Sequence, residues 1–254
     1  MGKVYVFVNQ KGGVGKTTSA INLGAYLAEA GKSVLLVDFD PQANLSSGIG
    51  VNPKTAKPGV YELISGLATL DNVIRSTILP NLQIIPSSPD LSGAAVELIE
   101  QKKRDFFLKT ALEPVREQYD YILIDCPPSL GVLTTNGMTA ADAVLIPLQC
   151  EYFAMEGLSH LLTIVRRMKN GTNPELEIGG IFFTMYDPRT RLAQQVVKDI
   201  SGYFRDKVFK TIIPRNVRLS EAPSHGMPII KYDPQSSGAK AYKSLAAEVI
   251  KNGN

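Results

Sequence analysis

Phosphate chemistry is the first function that the residue types of this sequence indicate. A segment rich in glycine, lysine and threonine, residues 11–18 (KGGVGKTT), stands between an apolar run and a stretch with helical spacing. Its glycines allow consecutive backbone N–H groups to wrap a phosphate, and the start of the following helix adds partial positive charge. Lys16 is placed to reach the β- and γ-phosphates of a nucleotide, and the Thr17 hydroxyl can ligate Mg²⁺. We expect the nucleotide to contact Lys11, Gly12, Gly13, Val14, Gly15, Lys16, Thr17 and Thr18.

Three carboxylates follow runs that predict buried strands. Asp38 and Asp40 end the segment VLLVDFD, and Asp125 ends the segment YILID. In open α/β sheets ligands lie beyond the carboxyl ends of the strands, so these side chains should face the phosphate loop. Asp125 has the position of a Walker B carboxylate, which holds Mg²⁺ directly or through water. We expect Thr17, Asp38 and Asp125 to form the Mg²⁺ site, and for Asp38 the alternative that it caps the following turn stays open.

These groups need a sheet to position them, and the hydrophobic pattern predicts one. Continuous apolar runs rich in β-branched residues are typical of buried parallel strands, and here they alternate with stretches of helical periodicity. The predicted strands are 4–9, 33–38, 82–86, 121–125, 143–148, 180–184 and 210–213. The predicted helices are 16–30, 105–118, 155–169, 192–204 and 238–250. This alternation indicates an α/β fold with a doubly wound, mostly parallel sheet flanked by helices, and we interpret residues 1–254 as a single domain.

The composition excludes several classes of protein. Hydrophobic residues make up 44% of the 254 and charged residues 20%, which is typical of globular rather than disordered or fibrous proteins. The N-terminus lacks the features of a signal peptide, and no apolar run approaches the roughly 18 residues that span a bilayer. Two cysteines, Cys126 and Cys150, are too few for a disulfide framework and fit a reducing compartment. We therefore expect a cytoplasmic protein that is not secreted and does not span a membrane.

The net charge of +3 is unevenly distributed along the chain. Residues 185–254 carry 12 Lys and Arg against 6 Asp and Glu, whereas residues 1–184 carry 15 against 18. Such a basic segment can offer a patch to a polyanion, and a solvated helical face with excess Lys and Arg is the alternative. Charge alone leaves both interpretations open.

The phosphate loop departs from the usual G-x-x-x-x-G-K-[ST] pattern in an informative way. Gln10 stands where that pattern has glycine, and an additional lysine, Lys11, follows it. The resulting xKGGxGKT[ST] form is similar to that of the deviant-Walker ATPases, a family that includes ParA, MinD and the nitrogenase iron protein. With DFDPQ, DCPPSLG, IPLQCEY and the segment IIPRNVRLSEAPSHGMPIIKYDPQ, it makes the chain resemble the chromosomal Soj branch of ParA over essentially all 254 residues.

The resemblance implies roles in hydrolysis for residues that spacing alone leaves unassigned. In that family the lysine that matches Lys11 reaches across an ATP-sandwich homodimer to the partner's nucleotide. The residue that matches Asp40 lies in switch I, where it orients or deprotonates the attacking water. The resemblance therefore implies a catalytic set of Lys11, Lys16 and Asp40, with ATP and Mg²⁺ as cofactors.

Further positions that match the family lie in the basic C-terminal quarter. Pro214 and Asn216 match positions that hold the adenine ring. Arg189 and Arg218 match arginines on a surface that is continuous only in the ATP dimer and that binds double-stranded DNA without sequence preference. Phosphate contacts from Lys and Arg suffice for such binding, which is then strongly dependent on salt.

The function that the resemblance implies is a dimerising, nucleoid-associated ATPase that acts in chromosome or plasmid partitioning. ATP would join two subunits, the dimer would coat nucleoid DNA, and a ParB-type protein would stimulate hydrolysis and release. Some members of the Soj branch also regulate the replication initiator DnaA, which this sequence neither indicates nor excludes.

Other functions remain as alternatives. A Rossmann fingerprint could begin at Gly13, but it fails at Thr18 and leaves Lys16 without a purpose. A MinD-like membrane-cycling regulator would use a terminal amphipathic helix, yet the apolar stripe of residues 238–250 is half alanine and favours packing on the sheet. A metabolic P-loop enzyme or reductase that uses ATP on a small molecule is the third alternative.

The two cysteines suggest a further comparison, because the nitrogenase iron protein holds a cluster between its subunits with two cysteines per subunit. Cluster ligands normally come from exposed loops with recognisable spacing. Cys126 and Cys150 instead follow predicted strands directly. We therefore expect buried thiols rather than cluster ligands.

Overall fold

One sheet organises the chain, which the computed structural model describes over residues 2–253. Within these residues the strands are β1 (Lys3–Phe7), β2 (Val34–Asp38), β3 (Arg75–Ser76), β4 (Leu82–Ile85), β5 (Tyr121–Asp125), β6 (Ala143–Gln149) and β7 (Glu177–Thr184). Their order across the sheet is β3-β4-β2-β5-β1-β6-β7. Neighbouring strands are parallel except for the short β3, which is antiparallel to β4.

Helices connect the strands and cover both faces of the sheet. They are α1 (Lys16–Glu29), α2 (Asn44–Gly48), α3 (Val60–Ile64), α4 (Leu70–Val73), α5 (Leu91–Glu97), α6 (Phe107–Leu112), α7 (Val132–Ala140), α8 (Ala154–Lys169), α9 (Arg191–Phe204), α10 (Val217–Glu221), α11 (Ile229–Tyr232) and α12 (Ser237–Asn252). Short 3₁₀ helices lie at Leu98–Glu100, Glu113–Gln118, Arg205–Lys207 and Ala222–His225. The predicted doubly wound α/β fold is confirmed.

The central strands are buried on both faces, which explains their continuous apolar runs. Along β1, Val4 and Val6 enter one hydrophobic core, whereas Tyr5 and Phe7 enter the core on the opposite face. Side chains from α6, α7 and α8 complete the first core, and side chains from α1 and α12 complete the second. A parallel sheet covered on both sides requires this pattern, because each strand has no face in contact with water.

The C-terminal helix α12 packs on the sheet, as its sequence predicts. Its apolar stripe is buried and consists of Ala239, Tyr242, Leu245, Ala246 and Val249. The Tyr242 hydroxyl shares a hydrogen bond of 2.9 Å with the Ser19 hydroxyl of α1. Across residues 2–253 the structure contains no helix that is both long enough and apolar enough to cross a bilayer.

The predicted strand at 210–213 is wrong. Isolated bridges flank this segment and pair Ile181 with Val208 and Tyr186 with Pro214. Within it, the Ile213 N–H donates to the Phe183 carbonyl of β7 at 2.8 Å. The backbone N–H groups of Lys210 and Thr211 donate to the Glu248 carboxylate of α12, at 2.8 Å each. Because these two N–H groups donate to a side chain, the segment does not form a continuous hydrogen-bonded ladder with β7.

The predicted helix at 105–118 is correct only in part. The α-helical segment is confined to α6, and a 3₁₀ helix follows over Glu113–Gln118. Pro114 explains the change, since proline lacks the N–H that would continue the α-helical bonding. The other predicted helices are confirmed to within two residues at each end.

Candidate active site

The loop between β1 and α1 has the backbone geometry of a phosphate-binding loop. Gly13 and Gly15 adopt left-handed conformations, with φ of 75° and 88°, which side chains of other residues rarely adopt. Gly15 precedes α1 and has no side chain to cap it, so the first N–H groups of the helix can face a ligand. The Thr184 hydroxyl at the end of β7 donates to the Val14 carbonyl at 2.8 Å and fixes the loop.

Lys16 begins α1 and is nearly buried beneath this loop. Its ammonium donates to the Asn9 carbonyl at 3.2 Å, and the Asn9 amide in turn donates to the Pro147 carbonyl of β6 at 2.8 Å. Burial lowers the pKa of Lys16, while the charges of Asp125 and Asp40 act in the opposite direction. The sequence contains no local signal for the role of Asn9, which the fold creates by joining β1 to β6.

The predicted metal ligands meet at the carboxyl ends of β2 and β5. The Thr17 hydroxyl donates to Asp125 Oδ2 at 2.6 Å, and Asp38 lies beside Asp125 in the register of the two strands. The other oxygen of Asp125 is buried and has no hydrogen-bond partner among the described residues. A hydroxyl and a carboxylate with an unused oxygen are ligands that Mg²⁺ prefers, so these residues fit that ion.

The pKa values of the two carboxyls reflect their burial. Burial, and next the negative charge of Asp38, raise the pKa of Asp125 to about 8. Burial also raises the pKa of Asp38 to about 7, and hydrogen bonds from Ser46 and Asp40 partly offset it. A divalent cation would relieve this cost by favouring the ionised forms of both groups.

Both oxygens of Asp38 accept hydrogen bonds, unlike those of Asp125, and these bonds anchor the short helix α2. One of its oxygens accepts from the Ser46 N–H at 2.8 Å and from the Ser46 hydroxyl at 2.6 Å. Its other oxygen accepts from the Asp40 N–H at 3.3 Å. These hydrogen bonds agree with the alternative that Asp38 caps the following turn. Ser46 was missed by sequence reasoning, since nothing in its neighbours distinguishes it.

Asp40 and the phosphate loop line one cavity of about 320 Å³. Asp40 is buried, and one of its oxygens accepts from the Gln42 N–H at 2.9 Å. The lining residues that the sequence predicted for the site are Gly12, Gly13, Gly15, Lys16, Thr17, Thr18 and Asp40. Among the described residues, no group of three or more His, Cys, Asp or Glu could hold a metal ion alone. A bound Mg²⁺ would therefore need nucleotide phosphates to complete its ligands.

Lys11 lies outside this cavity. Its half-exposed ammonium forms an ion pair with Glu151, which follows β6. Both residues line a separate cavity of about 150 Å³ with Val14 and Phe153. Glu151 is the residue that sequence reasoning missed here, because 140 positions separate it from Lys11. Lys16 thus lines the phosphate cavity of its own chain, whereas Lys11 does not.

A second cavity, of about 210 Å³, adjoins the first and contains the positions predicted for a base. Gly15, Thr18 and Met185 line both cavities, and Pro214 and Asn216 line the second. The Asn216 side chain is engaged within the protein: it accepts from the Leu219 N–H at 3.3 Å and donates to the Ser237 hydroxyl at 2.8 Å. Asn216 therefore caps α10 and ties it to the start of α12.

Comparisons with known proteins agree with this geometry. A family model described as an AAA domain (AAA_31) matches residues 2–178. The chain is 62% identical over 250 residues to the chromosome-partitioning ATPase Soj of Treponema pallidum (strain Nichols), which covers 98% of each chain. It is 54% identical over 253 residues to the sporulation initiation inhibitor protein Soj of Bacillus subtilis (strain 168), which covers 100% of each. The chain belongs to the ParA/Soj family of partitioning ATPases.

A solved structure extends the comparison to a ligand-bound protein. The cobyrinic acid a,c-diamide synthase from Mycobacterium smegmatis, with bound ADP and magnesium, has a TM-score of 0.87 and 36% sequence identity. The alignment covers 100% of this chain and 96% of that one. The P-loop architecture of this ParA/Soj chain is thus shared with a protein that binds a nucleotide and a metal ion.

Arg189, which the ParA/Soj resemblance assigns to DNA, lies on the surface just before α9. Its side chain is 86% exposed and binds Asp187, with Nε at 2.9 Å from Oδ1 and Nη2 at 2.6 Å from Oδ2. Hydrogen bonds from Arg189 lower the pKa of Asp187 to about 2. The carboxylate that neutralises this arginine was not predicted as part of the surface.

Arg218, the second arginine of that surface, is also paired in this ParA/Soj chain. Its Nη1 donates to Glu221 at 2.8 Å within α10, and its Nε lies 3.5 Å from Asp233. The side chain nevertheless remains half exposed. Both predicted DNA contacts are therefore accessible cations whose charge is partly balanced within the protein.

The cysteines do not resemble cluster ligands. Cys126 is buried, and burial raises the pKa of its thiol well above the ordinary value. Cys150 is partly buried, and burial raises its pKa to about 11. Protonated thiols of this kind are poor metal ligands, because a metal binds the thiolate.

Proposed function

We propose that the chain binds ATP and Mg²⁺ and hydrolyses ATP as a dimerising switch in chromosome or plasmid partitioning. The observation that carries the proposal is the cavity lined by Lys16, Thr17 and Asp40, in which Thr17 also donates a hydrogen bond to Asp125. The names of the related Soj proteins and the nucleotide-bound neighbour support the same conclusion.

In this proposal the loop binds the phosphates of the nucleotide, and the carboxylates bind the metal ion. The backbone N–H groups of the glycine-rich loop and the Lys16 ammonium hold the phosphates. Thr17 and Asp125 hold Mg²⁺, with the unused Asp125 oxygen as the first protein carboxylate ligand. Asp38, whose oxygens already accept hydrogen bonds, contributes through water and keeps α2 in position. When bound there, Mg²⁺ would supply positive charge that offsets the negative charge of the nucleotide phosphates.

Asp40 is the group proposed to act on the attacking water. It lines the phosphate cavity, and its Oδ1 is held by the Gln42 N–H. A carboxylate fixed in this way can orient a water molecule toward a γ-phosphate and accept its proton.

Lys11 is proposed to act on the nucleotide of a second subunit. Its position outside the phosphate cavity of its own chain supports this role. To reach that nucleotide, Lys11 must break its ion pair with Glu151. An exposed ion pair of this kind is weak enough for Lys11 to exchange Glu151 for a phosphate.

Pro214 and Asn216 are proposed to form the adenine pocket. Pro214 lines the cavity beside the phosphate loop, and Asn216 shapes the cavity through its bonds to Leu219 and Ser237. The amide of Asn216 positions α10, and both residues line the cavity proposed for the base.

Arg189 and Arg218 are proposed to bind double-stranded DNA without sequence preference when ATP joins two subunits. This activity would locate the cytoplasmic protein on the nucleoid, with a ParB-type partner stimulating hydrolysis and DnaA as a further partner. The basic charge of residues 185–254 supports a polyanion as ligand. The buried stripe of α12 gives no support to membrane cycling of the MinD type.

The decisive experiment measures DNA binding with and without ATP at several salt concentrations. Arg189→Ala and Arg218→Ala should each weaken ATP-dependent binding, because each removes a phosphate contact, and each should reduce the salt slope by about one. Lys54→Ala, an exposed cation far along the chain from this segment, is the control and should behave like the parent. A parent protein that binds no DNA at low salt with ATP would refute the proposal, and ATP-dependent pelleting with liposomes would favour the membrane alternative.

A further inference from the structure

A groove of about 350 Å³ lies away from the nucleotide site, beside β7. It lies between the C-terminal half of α8, the start of β7 and the 3₁₀ helix Arg205–Lys207. The residues that line it are Leu162, Val165, Arg166, Lys169, Leu176, Glu177, Ile178 and Lys207. We call it the α8–β7 groove.

The α8–β7 groove combines an apolar floor with a basic rim. The aliphatic members of its lining contribute the floor, and Val165 and Leu176 among them are fully buried parts of the first core. The rim carries the exposed cations Arg166, Lys169 and Lys207 against a single carboxylate, Glu177. A ligand that fits must therefore offer both negative charge and a large apolar group.

The three rim cations have no ion-pair partner among the described residues. Within residues 2–253, none of them forms an ion pair, whereas Lys11, Arg189 and Arg218 each do. Arg166 and Lys169 both lie in the last turn of α8, three residues apart. The helix dipole favours cations at this end of the helix. The positive charge of the rim is thus available to a ligand.

The position of the α8–β7 groove separates it from the nucleotide cycle. Thr184, at the far end of β7, contacts the phosphate loop, while Glu177 and Ile178 at its start line the groove. The eight residues of β7 span roughly 20 Å at the usual rise per residue. The groove therefore lies at the opposite end of β7 from the phosphate loop.

We propose that the α8–β7 groove binds an acidic peptide segment of a partner protein, with a large aliphatic side chain seated on the apolar floor. Acidic motifs are recognised by clusters of Arg and Lys, and an apolar anchor in a pocket supplies most of the binding energy. DNA offers regularly spaced phosphates but no aliphatic group, so it would leave the floor unfilled. A bilayer is flat, whereas the floor is recessed between α8 and the sheet.

The test uses the full chain and a fluorescent acidic peptide composed of Glu, Asp and spaced Leu residues. Fluorescence anisotropy should report salt-dependent binding by the parent. The variant Arg166→Ala/Lys169→Ala/Lys207→Ala should bind at least about tenfold more weakly, as expected for three charge contacts. A matched variant, Lys54→Ala/Lys198→Ala/Lys251→Ala, removes three exposed cations elsewhere and should bind like the parent.

Two further arms distinguish the occupants of the groove. Replacing Leu by Ser in the peptide should weaken binding severalfold, because the floor then loses its ligand. Short duplex DNA and phosphatidylglycerol vesicles should not displace the peptide. Equal peptide binding by the groove variant and the parent would overturn the proposal. It would also be overturned if DNA or vesicles displaced the peptide from the parent and the groove substitutions abolished the binding of that competitor. Because the groove is remote from the phosphate loop, ATPase activity of the groove variant should match the parent, which keeps this test separate from that of the proposed function.

Discussion

At the scale of single residues, the buried carboxyls Asp38 and Asp125 dominate the electrostatics of the site. Their pKa values are raised to about 7 and about 8, whereas an unfolded aspartate titrates near 3.9. Between about pH 4 and about pH 8 the folded protein therefore binds more protons than the unfolded chain, and its stability falls as pH rises. Ionisation of these two buried carboxyls therefore lowers the stability of the fold when no cation is bound, and a bound cation would offset that loss.

This difference predicts the pH dependence of stability without nucleotide or metal. The free energy of unfolding should fall by at least about 1 kcal/mol from about pH 6 to about pH 8, since one pKa unit is worth 1.36 kcal/mol. Asp125→Asn should flatten this slope, because the amide keeps an acceptor for Thr17 but does not titrate. Thermal unfolding in EDTA measures the effect, with the exposed Asp199→Asn as the control. An unchanged slope in Asp125→Asn would contradict the assignment.

The Lys11–Glu151 ion pair predicts how readily two subunits join. Glu151→Gln should release Lys11 and lower the ATP concentration that is needed for dimerisation by about two- to fivefold, the range expected for an exposed pair. Analytical ultracentrifugation over an ATP titration measures the shift. Glu156→Gln, an exposed change in the first turn of α8, should leave the midpoint where it is in the parent. A higher ATP requirement in Glu151→Gln would mean that the pair assists assembly.

At the scale of elements, α2 links the carboxyl site to the basic segment. Ser46 of α2 binds Asp38, and the turn after α2 touches the 3₁₀ helix Ala222–His225 through a contact of two glycines. A Cβ atom added at Gly226 would lie 2.8 Å from Gly50 Cα, and Gly226 has a φ of 63°. The two segments therefore meet at a position that accepts no side chain.

Gly226→Ala should lower stability by roughly 2–4 kcal/mol, because it adds a backbone clash to the strain of a left-handed residue. Gly66→Ala separates the two effects, since Gly66 has a φ of 72° but open space around its Cβ position. That control should lose only about 1 kcal/mol. Urea denaturation of both variants provides the comparison, and equal losses would show that the glycine contact carries no packing cost.

The elements also show what can and cannot be predicted from sequence. Buried strands such as β1, β2 and β5 are predictable, because burial on both faces leaves a continuous apolar run. The segment 210–213 has the same pattern, yet Glu248, 37 and 38 positions away, accepts its N–H groups and prevents a strand. Local spacing likewise identifies Lys16 and Thr17. Glu151 meets Lys11 across 140 positions, and Ser46 meets Asp38 through the turn that leads into α2. Sequence patterns report local periodicity and motifs, and they do not report these pairings.

At the scale of the whole molecule, the charge of the basic quarter is partly cancelled by carboxylates beside the arginines. Asp187 binds Arg189 through both of its oxygens, and Glu221 and Asp233 lie beside Arg218. A DNA phosphate must compete with these carboxylates or tolerate their repulsion. These carboxylates thus limit the affinity that the proposed DNA surface can reach.

Removing one of these carboxylates should therefore strengthen DNA binding. Asp187→Asn leaves Arg189 fully available and deletes a negative charge near the phosphates, so ATP-dependent binding should tighten about three- to tenfold at low salt. Asp199→Asn makes the same charge change on α9 at a carboxylate that accepts from Gln195 rather than from an arginine. If both variants tighten binding equally, net charge alone accounts for the effect; a larger gain in Asp187→Asn identifies the Asp187–Arg189 pair as the element that sets DNA affinity.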